Sequence, residues 1–406
     1  MTEDFDPFSV GADPFPAFAR ARAQGGFLPG TPPFPGVESA VYLFTHRLVD
    51  CALKHPRVLH APPGTYQAVL QSTAGQHLLR IMVQSLVCAD PPRHGIFRRP
   101  LSQSMAPART ATHMEWLRSR ALELVGNLSI SGGFDAVQDL ALPLAMGVLG
   151  RLLGIPMPDA AMLRTATDAM VGAIDLRRSD SMGDCHALEA HVAGSLASGN
   201  VEPDSIAAIM LAEEAAGLWE HEEVIVNIIF MMFAGQQTII DAFGNALMAL
   251  EAAPAQRAML EQRKVSWTSA AEELLRISAP VNYAGVRIAA EDLEIVGFPV
   301  KCGMAVVPVI SSANRDVAVW PAGDELRLDA PGSAAMAFGT GIHACVGRHL
   351  ARAEMAALLE ALFTAAPGWS LDRRSVRPRD SRLFRGLTRA PVKVGAPGEA
   401  SCWLRN

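Results

Sequence analysis

The chain has 406 residues, half of them hydrophobic, 19% charged, with a formal net charge of −6 from 35 Lys and Arg against 41 Asp and Glu. The apolar share excludes a largely disordered protein, and the slightly acidic balance argues against nucleic acid, whose phosphates need a concentrated positive field. The six cysteines, at 51, 88, 185, 302, 345 and 402, lie far apart with no CxxC pair and read as reduced thiols, not as a disulfide framework.

The first residues are acidic and broken by prolines, with neither the basic nor the apolar region of a secretory signal. The most apolar run, 224–234, is too short to span a bilayer and leads into Gln236, Gln237 and Asp241. The expectation is a cytoplasmic protein, not associated with a membrane.

Residues 1–36, rich in Pro and Gly, are expected to form coil around one short helix at 15–24. Residues 40–45 have strand character, and 46–54 reads as a helix closed by His55-Pro56. From about 102 to 260 the pattern is mainly helical, with helices expected at 142–153 (ended by Gly154), 158–174, 183–196 and 205–216. The segment 220–250 is apolar nearly all round. It opens with Glu220, Glu222 and Glu223 at the positive end of the helix dipole, so it should run through the core. Short strand-like runs follow at 286–288, 293–296 and 305–309, then a helix at 345–365 and a last strand at 392–394. The fold class is mainly α with a minor β region, in one domain.

The strongest local signal is Phe338-Gly339-Thr340-Gly341-Ile342-His343-Ala344-Cys345-Val346-Gly347. A glycine-rich loop here brings one thiol to the start of an amphipathic helix whose buried stripe is Leu350, Ala353, Ala357, Leu358 and Ala361. The helix dipole and free N–H groups are expected to lower that thiol's pKa and favour a thiolate ligand. Gly339 and Gly341 let the backbone approach a flat object, and Gly347 lets the first helical turn press against it. Zinc fits poorly, because no further Cys or His lies at finger-like spacing. A nucleophilic cysteine would want an adjacent base, and His343 need not face the sulfur.

This string resembles the haem-binding loop of the cytochrome P450 family and fits FGxGxHxCxG at every fixed position. The resemblance implies that Cys345 is the axial ligand of haem b, iron protoporphyrin IX. It also implies the family's triangular helical domain with a long central helix and small sheets.

Further matches follow in the family's order. Glu273-Leu274-Leu275-Arg276 matches ExxR, on a helix expected at 269–278 that a capping box, Ser269 to Glu272, would start. Taken alone, ExxR reads as a surface ion pair. In the family it locks to the segment before the cysteine loop, here Asn314-Arg315-Asp316. His94 and Arg98, after Asp90-Pro91-Pro92-Arg93, match residues that hold a haem propionate, and Arg287 and His343 match the other propionate partners. Ala234-Gly235-Gln236-Gln237-Thr238 resembles the oxygen-binding stretch of the central helix. There Gly235 admits a ligand, Thr238 offers a hydroxyl, and Gln237 replaces the usual acid. An amide can hold a water but cannot relay a proton by ionising.

By the family's register, substrate-facing positions are Leu78, Leu79, Met82 and Val83, then Met231 and Ala234, Val281, Asn282 and Tyr283, and Leu383 and Phe384. The implied reaction is insertion of one oxygen atom from O2 into a small or medium organic substrate of specialised metabolism, free or carrier-bound. Electrons would pass from NAD(P)H through a ferredoxin reductase and a ferredoxin to a monomer, docking near Arg99, Arg348 and Arg352. The length leaves no room for an appended reductase. Gln237 keeps a second reading open, in which a family member couples rings, closes a ring or uses peroxide. A non-catalytic haem sensor and a metal-free structural protein are the readings from other classes.

Overall fold

The computed structural model describes residues 5–6, 13–33, 36–60, 76–174, 182–329 and 335–395. The expected elements form with ends shifted by at most three residues: helices Phe15–Ala23, His46–Lys54, Leu142–Leu153, Ala160–Ile174, Met182–Ala197, Ile206–Ala215 and Arg348–Ala365. Local chemistry accounts for the boundaries. Thr45 accepts from the Leu48 N–H, and the Ser205 hydroxyl accepts from the Ala208 N–H, each satisfying a donor the helix start leaves open. Gly154 ends its helix at φ 68°, where a Cβ would fall 2.2 Å from that of Ser205.

The long helix, His221–Ala252, is 32 residues, about 48 Å at 1.5 Å per residue. Glu220 and Glu223 form a reciprocal capping box at its start, with the Glu220 N–H donating to Glu223 Oε2 at 2.7 Å. It packs against Leu142–Leu153, Met182–Ala197 and Trp267–Ile277. Together with Ala136–Leu153 it is long and apolar enough to cross a membrane, yet 67% and 61% of the respective apolar windows lie inside the fold, as core helices do. Helix Arg348–Ala365 packs along both Pro107–Ser129 and Trp267–Ile277, which fixes the start of that helix relative to the long one.

The β region is small. Five short strands lie side by side in the order Phe27–Gly30, Ala40–Leu43, Ala305–Pro308, Arg287–Ala289, Val58–Leu59, with the second and third parallel and the other pairs antiparallel. Strand Pro391–Lys393 joins Gly133–Asp135 and Ser370–Leu371 in a second sheet.

Three expectations change. The segment expected as coil to residue 36 contributes the edge strand Phe27–Gly30, which Gly and Pro disguise and which forms because Ala40–Leu43 offers an open edge. Helix Trp267–Ile277 starts at Ser266, whose hydroxyl accepts from the Ser269 N–H at 3.1 Å, so Ser269 is not the cap. Glu272 is free to pair instead with Arg352, at 2.5 Å. The helix after the cysteine loop begins at Arg348, since residues 345–347 stay in the loop.

Candidate active site

The glycine-rich loop holds its own shape. The Cys345 N–H donates to the Phe338 carbonyl at 2.8 Å and the Ala344 N–H to that of Gly341 at 3.1 Å. Gly341, at φ 73°, is pressed so close to the end of helix His46–Lys54 that a Cβ would stand 2.3 Å from the Leu53 carbonyl oxygen. Gly339, at φ 63°, faces open space, with nothing within 4 Å of where a Cβ would be. The two glycines therefore do different jobs: one seats the loop and the other leaves a surface bare.

Cys345 faces an apolar cleft with a volume of about 120 Å3. Leu101, Met105 and Leu350 line it beside the cysteine, and Phe230, Met231 and Leu149 line it farther off. Ala234, Gly235 and Thr238 form part of the same wall, so one cleft lies between the thiol and the middle of the long helix. Burial in this cleft pushes the Cys345 thiol up, against the Gly347 N–H and the Arg98, Arg348 and Arg352 guanidiniums, which pull it down. The shift is therefore upward, against the lowering expected from the helix start.

At the edge of the loop His60, His94, His343, Arg98 and Arg287 gather. The His343 ring centroid is 4.4 Å from that of His94 and 4.6 Å from that of His60, and Arg287 Nη1 lies 3.1 Å from His60 Nδ1. Burial and then mutual repulsion, chiefly from Arg287, drive His343 down to about 2, and His60 and His94 are lowered too. His94 is buried, and its Nε2 has no hydrogen-bond partner. Asp90 faces this cluster, accepting from the His60 N–H at 3.0 Å. Positive groups outnumber that carboxylate, so the cluster suits an anionic group. His60 escaped the sequence reading, since a lone histidine after a two-residue strand carries no signal.

In the long helix the Thr238 hydroxyl donates to the Ala234 carbonyl at 2.8 Å and the helix is unbroken there. A Cβ at Gly235 would stand 2.7 Å from Leu149 Cδ2, so Leu149 packs directly against this glycine. Gln237 does not line the cleft: it is buried, and its Nε2 donates to Asp241 Oδ2 at 2.7 Å.

Glu273 and Arg276 are buried, at 6% and 2% exposure, which removes the surface-pair reading of ExxR. Arg276 grips Glu273 through Nε and Nη2, both at 2.7 Å, and donates to the carbonyls of Asn314 (2.7 Å), Gly323 and Glu325 (2.8 Å each). Asn314 Oδ1 in turn accepts from the Met336 N–H at 2.6 Å, two residues before Phe338. The lock to the cysteine loop is therefore continuous.

The expected substrate positions divide. Met231 and Ala234 line the cleft. Val281 bridges to Phe384, which packs edge-on to Phe233 at 5.7 Å, and Leu383 is partly buried. Tyr283 packs against Phe18 and Tyr42, and Asn282 Nδ2 donates to the Arg382 carbonyl at 2.9 Å. Of the expected substrate positions among the described residues, Met231 and Ala234 are the ones in the lining of this cleft. Met82 is half-buried in helix Gln76–Val83, and the Leu78 and Leu79 side chains lie outside the described residues. Glu354, unforeseen, is buried at the cleft wall and pushed up to about 8 by burial. Its signal was an acid four residues after Leu350, inside the apolar stripe.

A family model described as cytochrome P450 matches residues 267–367, from the ExxR helix through the helix after the cysteine loop. The nocardicin C N-oxygenase of Nocardia uniformis subsp. tsuyamanensis is 30% identical over 320 residues, covering 76% of this chain and 78% of that relative. The chain belongs to the cytochrome P450 family. The vitamin D(3) 25-hydroxylase of Pseudonocardia autotrophica is 28% identical over 97% of each chain. The crystal structure of CalO2 superposes with a TM-score of 0.84 at 25% identity, covering 97% of this chain and 99% of that one. This cytochrome P450 is accordingly an oxidoreductase of the monooxygenase type. Its prosthetic group is haem b, its co-substrate O2, and its electrons originate in NAD(P)H and arrive through redox partners.

The residues present fit that group. A thiol, the bare face at Gly339 and apolar walls suit a flat macrocycle, and the cationic cluster with the unpartnered His94 Nε2 suits its two carboxylates. Replacing His94 by Ala should weaken haem retention by about 10-fold to 100-fold, the scale of one charge-assisted hydrogen bond. Competition for haem with an apo-globin would measure it.

Proposed function

We propose that this cytochrome P450 inserts one oxygen atom into a small or medium apolar molecule of specialised metabolism, with Cys345 holding the haem iron. The observation that carries this reading is the single cleft bounded by Cys345 and by Ala234, Gly235 and Thr238. Haem, when bound, supplies the oxygen activation, and thiolate donation favours O–O cleavage. The chain's own residues do the rest. Arg98 and Arg287 would neutralise the propionates, His94, His343 and His60 would offer them ring N–H groups, Thr238 would offer its hydroxyl to water or oxygen in the cleft, and the leucines and methionines would exclude bulk water.

A cytoplasmic monomer served by a ferredoxin and its reductase fits Arg348 and Arg99, which are exposed close to the cysteine loop and in helix Arg93–Ser104. Arg352 is the weaker candidate for that face: it is only 26% exposed, paired with Glu272 at 2.5 Å and stacked on Phe338 at 4.6 Å, whereas Arg99, 64% exposed, has a looser partner in Glu213 at 3.9 Å. The relative that is an N-oxygenase supports a nitrogen-bearing substrate as readily as a hydrocarbon centre. Gln237, turned away from the cleft, favours the second reading, an oxidation less dependent on acid-assisted cleavage, such as coupling or ring closure.

The test is optical. The reduced carbon monoxide complex should show the thiolate signature, and titration of the ferric protein with a panel of apolar molecules should shift it from low to high spin. A spectrum without thiolate character would refute the Cys345 assignment. Thr238→Ala should keep both spectra and raise the share of reductant lost to peroxide or water several-fold. Unchanged coupling would remove Thr238 from the oxygen site.

A further inference from the structure

The apolar run 224–234 carries a single polar residue, Asn227, and an amide buried among Val, Ile and Phe is costly unless both its ends are satisfied. Asn227 is 1% exposed, and both ends are used. Its Oδ1 accepts from the Leu86 N–H at 2.8 Å, and its Nδ2 donates to the Glu223 carbonyl, one turn back, at 2.8 Å. These partners fix the orientation of the amide, because Oδ1 alone can meet an N–H and Nδ2 alone a carbonyl.

Leu86 lies in the connection between helices Gln76–Val83 and Arg93–Ser104. The other hydrogen bonds of residues 84–89 are local: Gln84 to Arg80, Ser85 to Met82, Cys88 to Ser85 and Ala89 to Leu86. Among the described residues, the bond to Asn227 is the one that ties 84–89 to a distant part of the chain. Leu86 and Asn227 both line the cleft that Cys345 faces. So do Met231, Ala234 and Thr238, which with Asn227 fall at i, i+4, i+7 and i+11 on one face of the long helix. That stripe is about 16 Å long at 1.5 Å per residue, with Thr238 at one end and Asn227, holding Leu86, at the other.

We propose that Asn227 is a positioning residue that determines specificity: by holding the Leu86 main chain it sets where the cleft ends, and so how long a substrate the cleft admits. This rests on the monooxygenase reading above, which makes the cleft the substrate's. An apolar contact survives a small slide of a loop. A buried N–H that loses its acceptor does not, so without the Asn227 oxygen the Leu86 main chain should turn toward water and the wall should recede.

The experiment compares wild type with Asn227→Leu, which keeps the shape of the side chain without its acceptor, and with Asn227→Asp, all as haem-loaded protein with the thiolate spectrum verified. A buried, protonated aspartic acid accepts from the Leu86 N–H and donates to the Glu223 carbonyl, so it is the conservative rescue. The probe is a series of N-alkylimidazoles, methyl to decyl, with affinities read from the optical shift as the ring nitrogen binds the iron. Wild-type affinity should rise about 4-fold per buried methylene to a maximum and then fall. Asn227→Leu should move the maximum to longer chains and bind those beyond the wild-type maximum about 10-fold more tightly, with methylimidazole unchanged. Asn227→Asp should keep the wild-type maximum. Hydrogen exchange at the Leu86 amide, which needs no ligand, should be about 10-fold or more faster in Asn227→Leu than in the other two. A maximum that stays in place in Asn227→Leu, a loss of affinity equal at every chain length, or unchanged exchange at Leu86 would overturn the proposal. If wild type itself lacks the thiolate spectrum, the monooxygenase reading fails instead, and the exchange comparison still decides whether Asn227 holds Leu86.

Discussion

Replacing Cys345 by Ala should remove the thiolate signature of the reduced carbon monoxide complex and lower turnover by about three orders of magnitude or more, while leaving the fold in place. The second half of that expectation is what gives it force. The loop is held by main-chain bonds from Cys345 to Phe338 and from Ala344 to Gly341, and by Gly341 lodged against Leu53, none of which uses the sulfur. Denaturant midpoints of the haem-free proteins should therefore agree closely between wild type and variant. A variant that unfolds would mean the loop depends on the sulfur for shape, and a variant that keeps the thiolate spectrum would mean another cysteine binds the metal. Cys88 is the only other cysteine near the cationic cluster among the described residues. Burial raises its thiol to about 12, against Arg287, which lowers it, and this makes it a poor ligand.

Arg276→Leu should be the most destabilising single substitution outside the apolar core, costing about 3–5 kcal/mol. The leucine would leave the Glu273 carboxylate buried without its partner and three carbonyls, on Asn314, Gly323 and Glu325, without donors. The effect should reach the metal site, because Asn314 also holds Met336 just before the cysteine loop. Urea unfolding and haem content should fall together. Adding Glu273→Leu should recover part of the loss by removing the stranded charge, and a double variant no more stable than Arg276→Leu would show that the carbonyls dominate. By contrast the Lys301–Asp292 pair, exposed on both sides, should be replaceable with little effect.

The residues that chemistry makes conspicuous were legible in the sequence because their spacing is local. The loop Phe338–Gly347 combines glycines that need φ 63° and 73° with a single thiol ahead of an amphipathic stripe, and ExxR sits at i, i+3 on one helix face. The helix of 32 residues announced itself by apolar character on all sides and acids at its start. These features depend on contacts within about one helical turn or one short loop, so residue order alone determines them.

Only the tertiary structure decided how those pieces are used. ExxR could not be told from a surface pair until the carbonyls of Asn314, Gly323 and Glu325 closed over Arg276. The contacts of Tyr283 and Asn282 are made with neighbours distant in sequence, Phe18, Tyr42 and Arg382. His60 joined the cationic cluster, and Arg379 met Asp241, across 138 residues of chain. The sign of the shift at Cys345 also reversed, because a helix start lowers a thiol locally while desolvation by walls from several elements raises it, and here desolvation is the larger. Burial and long-range pairing are sums over residues far apart in sequence, so they become definite only when the chain has folded.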